Sequence, residues 1–144
     1  MTAPVSRGYR CRISLLTEAD GKKSVLSKCG TLQTDDCGGV ILSYESADDA
    51  GSFFTDGKRA SWRRNGEMSA LFLFEAGKIT KGTFGPDGLN GEVRIKTHKI
   101  ALKQQKDVVS AEVVYTLVFD YGEQKMKVKL CARLSEKSSE NTGA

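Results

Sequence analysis

Apolar and polar residues alternate along most of this chain. Tyr9, Cys11, Ile13 and Leu15 are separated by Arg10, Arg12 and Ser14. Val113, Tyr115, Leu117, Phe119 and Tyr121 make a second such set, and Met126, Val128, Leu130, Ala132 and Leu134 a third, set against Lys127, Lys129, Cys131 and Arg133. A period of two sends alternate side chains to opposite faces of a strand, one towards a core and one towards water. No segment sustains the 3.6-residue period of an amphipathic helix. About ten strands are therefore predicted, roughly over 9–16, 24–34, 39–46, 59–64, 67–75, 78–84, 91–97, 99–105, 109–120 and 125–134. Residues 46–54 break the pattern and are expected to form a loop with one short turn of helix.

Turn dipeptides punctuate these runs: Asp20-Gly21, Gly38-Gly39, Asp56-Gly57, Asn65-Gly66, Asp87-Gly88 and Asn90-Gly91. Asn-Gly and Asp-Gly supply the positive φ angles of tight hairpins. Consecutive strands joined by short turns suggest up-and-down antiparallel order, and so many strands in one domain must hide their edges. A closed barrel does so completely, with a sandwich as the alternative. The expected architecture is all-β: one antiparallel up-and-down barrel over 9–134, preceded by an arm at 1–8 and followed by a flexible tail at 135–144. Two stretches are apolar on both faces, Leu71–Phe74 and Val113–Phe119. Each is expected to be covered outside, by the chain itself or by a second copy in a homodimer.

Composition narrows the chemistry. The chain has 144 residues, a net charge of +4 and a single histidine, His98, so a multi-histidine metal site is excluded. The longest wholly apolar run, Ala70–Phe74, is far short of a membrane helix, and the first residues hold no secretory signal. Those features point to the cytoplasm. Cys11, Cys29, Cys37 and Cys131 lack C-x2-C spacing and read as reduced thiols. The acid pairs Asp35-Asp36 and Asp48-Asp49 lack a metal-loop pattern, and the glycines at 82, 85, 88 and 91 lack the Lys and helix of a phosphate loop. No catalytic set, metal or cofactor is read.

Two binding surfaces remain. Trp62 and Arg64 share a face, so if Trp62 is in the core Arg64 also points inward, near one end of the barrel, where its guanidinium fork suits a carboxylate or phosphate. Tyr44, Trp62, Arg64, Phe72, Tyr115, Leu117 and Phe119 are the candidate lining for a small apolar or amphipathic ligand. The alternative is a protein or RNA contact through Arg94, Lys96, Lys99, Lys103, Lys127 and Lys129, which lie in the stretches 94–106 and 125–133 that themselves hold no acid. One tryptophan and a modest charge make nucleic acid the weaker partner.

Short motifs in a fixed order carry a resemblance. Gly30 followed by Tyr44-Glu45, then Arg64-Asn65-Gly66, Phe84-Gly85-Pro86-Asp87-Gly88 and Thr97-His98-Lys99-Ile100, resemble the pattern of the uncharacterised bacterial YwiB-like family, from about Tyr9 to Leu134. That resemblance implies a calycin-like, lipocalin-like β-barrel, a type whose interior often holds a small, mostly apolar molecule. It implies no activity, and the stretch from Glu45 to Arg64 looks shorter and less strand-like than the family pattern.

Overall fold

The computed structural model describes residues 8–34, 38–45, 49–66, 68–86 and 91–134. Its strands are β1 (Gly8–Ala19), β2 (Lys22–Thr34), β3 (Val40–Glu45), β4 (Asp49–Thr55), β5 (Arg59–Gly66), β6 (Met68–Glu75), β7 (Ile79–Pro86), β8 (Gly91–Gln104), β9 (Val108–Phe119) and β10 (Gly122–Leu134). Each pairs antiparallel with the next, and β10 pairs with β1, so the sheet closes into a barrel. The tail at 135–144 and all but the last residue of the N-terminal arm lie outside the described residues.

Two features differ from the sequence reading, and they offset each other in the strand count. The stretch at 49–55 is not helical. It is a full strand, paired with β3 from Asp49's neighbour Ala50 to Thr55 and with β5 along its length. Conversely, the strands expected at 91–97 and 99–105 are one, β8, with a bulge between Thr97 and Lys99. The extra residue, His98, shifts the inward positions from Val93, Ile95 and Thr97 to Ile100 and Leu102. Its ring lies on the outer face, where Nε2 is 2.8 Å from Thr116 Oγ1. Thr116 faces outward yet is only 5% exposed, while its outward neighbours Val114 and Val118 are half-buried. Leu71 and Leu73, on the outer face of β6, remain 37% and 49% exposed.

The inner face is packed with large side chains. Phe53 and Trp62 meet edge to face at 6.5 Å, and Tyr115 lies 4.8 Å from Phe74 and 6.2 Å from Phe72. These rings are all 5% exposed or less. Aromatics bury the most surface per residue, so a barrel of this size is filled along its axis by a few of them. Charged residues such as Lys96, Glu112 and Lys127 sit outside, the reverse of a membrane barrel. No helix is long and apolar enough to cross a membrane.

Glycines permit the tight curvature. An added Cβ at Gly30 would lie 2.1 Å from the Ser43 carbonyl oxygen and 2.7 Å from Ile13 Cδ1. At Gly51 it would fall 2.3 Å from the Tyr44 ring, which fills the inward position that glycine leaves empty. The Asp20-Gly21 turn has φ angles of 50° and 88°, as a type I′ hairpin requires.

Candidate functional site

The two ends of the barrel differ. At the end reached by the 34–40, 55–59, 75–79 and 104–108 connections, Val40 and Thr55 are 0% exposed, Phe74 1% and Val109 4%, while Leu102 and Leu134 are half-buried and Tyr9, inward by the parity of β1, is exposed. The 55–59 turn is tied down locally. Thr55 Oγ1 donates to Arg59 O at 2.8 Å and accepts from Gly57 N at 3.0 Å, while Asp56 Oδ1 accepts from the N–H groups of Lys58 and Arg59. Those backbone donors hold the Asp56 carboxyl below its usual range.

At the opposite end, reached by the β1–β2, β3–β4, β5–β6, β7–β8 and β9–β10 connections, inward apolar residues emerge into water. Leu26 is 45% exposed and Phe84 38%, although both lie on the inner face. Phe84 packs on Phe72 at 6.2 Å, so the mouth is continuous with the core. Two cations stand in this apolar collar. The Arg64 guanidinium lies over the Trp62 ring at 5.1 Å, and Lys28 Nζ over the Tyr44 ring at 5.7 Å. Trp62 Nε1 donates to the Tyr44 hydroxyl at 3.3 Å, which ties the two rings together. Arg64 also reaches the field of Tyr115. Burial pushes that hydroxyl well above the ordinary tyrosine range, and the guanidinium pulls the other way.

The seven candidate lining residues divide accordingly. Tyr44, Trp62 and Arg64 meet at the mouth, and Phe119 is half-buried on the same collar. Phe72, Tyr115 and Leu117 are core packing, each 5% exposed or less. Parity with Trp62 correctly turned Arg64 inward. Lys28, Leu26 and Phe84 were missed, although the alternation of β2 about Gly30 and Leu32 places Lys28 and Leu26 inward.

The basic strands are not a continuous positive strip. Glu112 on β9 lies between β8 and β10, with Oε1 3.5 Å from Lys99 Nζ and Oε2 3.2 Å from Lys127 Nζ. Lys96 pairs with Glu123 at 3.5 Å. Lys129 faces Glu112 directly in register, while Arg94 and Lys103 face Val118 and Ser110. Burial pushes the Glu112 carboxyl up, but the Lys127 and Lys99 ammonium groups outweigh it and hold the pKa below the usual value. Because the folded pKa is the lower one, the stabilisation is complete above the unfolded value near ~4.3 and fades as pH falls through the folded value. Glu112→Gln should lower stability at pH 7 by about 1 kcal/mol or less. Melting curves of the two proteins should converge as pH drops below ~4, and a gap that persists in acid would reject this assignment.

Among the described residues, the thiols carry no assembled chemistry. Cys11 is buried, with its pKa pushed up to about 11 by burial and then by the nearby Cys29, so it is not a thiolate at neutral pH. Cys29 is exposed and Cys131 half-buried, whereas Cys37, Asp35, Asp36 and Asp48 lie outside the described residues. Among the described residues, no three His, Cys, Asp or Glu side chains gather as a metal site would need.

Comparison with known proteins fits this architecture. The solved structure of the YwiB protein from Bacillus subtilis superposes with a TM-score of 0.63 at 16% sequence identity, covering 87% of this chain and 91% of that one. At that identity the likeness shows a shared fold. No protein-family model and no curated protein matches the chain.

Proposed function

We propose that this barrel is a non-enzymatic binding protein for a small amphipathic molecule with an anionic head, held at the open mouth. The observation that supports it most is the meeting of exposed inward apolar side chains with inward cations at one end, where Leu26 and Phe84 are exposed beside Arg64 and Lys28. Exposed apolar surface rimmed by charge marks ligand or partner sites. In this reading the head meets the Arg64 fork and the Lys28 ammonium, and the tail lies on Leu26, Phe84 and Phe119. The packed Phe72, Phe74 and Tyr115 rings limit entry, so the ligand occupies the collar and not the axis. This departs from the deep interior site that a calycin-like barrel suggests.

Trp62 is the only tryptophan and sits under Arg64, so its fluorescence reports the site. Titration with decyl phosphate or decanoate should give a saturable change in emission. Arg64→Gln should weaken binding about tenfold or more, since one charged hydrogen bond contributes roughly 1.5–3 kcal/mol. Decanol, which has the same tail without the charge, should bind less well than either. No saturable change with either anionic amphiphile rejects the reading.

A further inference from the structure

We infer that the outer edge of β2 between Lys22 and Cys29 is a docking site for an extended acidic segment of a partner protein, which joins the sheet as an added strand. β2 pairs with β1 from Lys22 to Gln33, but with β3 only from Gly30 to Thr34. Among the described residues, Lys22–Cys29 therefore has a strand on one side only. The hairpin fixes which backbone groups face the open side. Ala19 and Lys22 flank the two-residue turn as a hydrogen-bonded pair, so the even residues of this stretch bond to β1. Lys23, Val25, Ser27 and Cys29 direct their N–H and C=O groups outward, where a strand would take them up. Residues 22–27 are all exposed, with Val25 at 64% and Leu26 at 45%.

A second feature lies at the end of this edge. Where β3 ends at Glu45, one residue past its Gly30↔Tyr44 pair, a cleft of about 530 Å³ opens among Arg10, Cys29, Thr31, Ser43, Glu45 and Ala50. An added strand running along Lys23–Cys29 would deliver a side chain into it.

Charge selects the occupant. The stretch Lys22–Thr34 holds Lys22, Lys23 and Lys28, the last turned inward over Tyr44, and no acid. Edge lysines deter neutral and basic strands, and they admit acidic ones. A second copy paired antiparallel about Val25 is disfavoured by the same residues, because Lys22 of one copy then faces Lys28 of the other. Like charges opposed in this way are destabilising.

A fluorescein-labelled peptide of alternating Glu and Val tests this by anisotropy on the full chain. It should bind saturably, weaken as salt rises, and lose at least tenfold in affinity with Val25→Pro, which removes an outward N–H without touching the β1 ladder. Val25→Thr and Arg64→Gln should bind like the parent, the latter separating this edge from the mouth. The same peptide N-methylated at alternate residues should not bind when the methyls face β2, which serves as the test should Val25→Pro fail to fold. No binding by the Glu-Val peptide, equal binding by a Lys-Val peptide, or equal binding after N-methylation in both registers overturns the proposal. So does sedimentation showing a parent dimer that Val25→Pro dissolves, which would assign the edge to a second copy.

Discussion

Gly30→Ala should destabilise the barrel by about 3 kcal/mol or more, lowering Tm by roughly 10 °C. The added methyl has no room: it meets the Ser43 carbonyl oxygen at 2.1 Å and Ile13 Cδ1 at 2.7 Å. The Ile13 side chain is able to turn away, but the Ser43 oxygen belongs to the β3 backbone. Relief thus requires the β2–β3 pair to separate at Gly30↔Tyr44, the point where that pairing starts. Gly91→Ala is the matched control, because the nearest atom to its new Cβ is Phe84 O at 4.0 Å. Calorimetry of the two variants decides. A loss at Gly30 within about 0.5 kcal/mol of the Gly91 change would mean that the corner is not close-packed.

Tyr115→Ala has a comparable effect, about 3–5 kcal/mol. The ring is 1% exposed and bridges Phe72 and Phe74, so its removal leaves two aromatics facing a cavity. Edge and tilted ring contacts add roughly 0.5–1.5 kcal/mol beyond the area they bury. Tyr115→Phe keeps the ring and removes only the hydroxyl, so it should cost less than about 1.5 kcal/mol. Denaturant melts of both variants separate packing from the polar group. A Tyr115→Ala loss below about 1.5 kcal/mol would show a loosely filled axis, and the deep ligand site would return.

Much of this was legible in the chain, for a physical reason. Strands with one wet face must alternate, so β1, β9 and β10 declare themselves, and the parity of Trp62 carries Arg64 inward. β4 was hidden because its inward positions are Gly51, Phe53 and Thr55. Only one is a large apolar residue, and the place of Gly51 is taken by Tyr44 from the neighbouring strand. β8 read as two strands because a single inserted residue, His98, reverses parity mid-strand. The basic run seemed unopposed because Glu112 reaches Lys99 and Lys127 only once three strands align. The open mouth and the bare edge of β2 both depend on where neighbouring strands stop. Alternation within one strand carries no such information.

Closure through β1 and β10 is what turns Arg64 and Lys28 into the lining of a mouth, and amide exchange measures it. The even residues Arg12, Ser14, Leu16 and Glu18 face β10 in register with Arg133, Cys131, Lys129 and Lys127, and Asp20 N bonds to Lys125 O at 3.1 Å just beyond them. Their amides should exchange slowly, as slowly as those of Ile13 and Leu15 that face β2. The outward amides of Lys23, Val25 and Ser27 should exchange quickly in the same sample. Fast exchange at Arg12, Ser14, Leu16 and Glu18 alongside slow exchange at Ile13 and Leu15 would show an open sheet with β1 unpaired at its side, and would contradict the barrel.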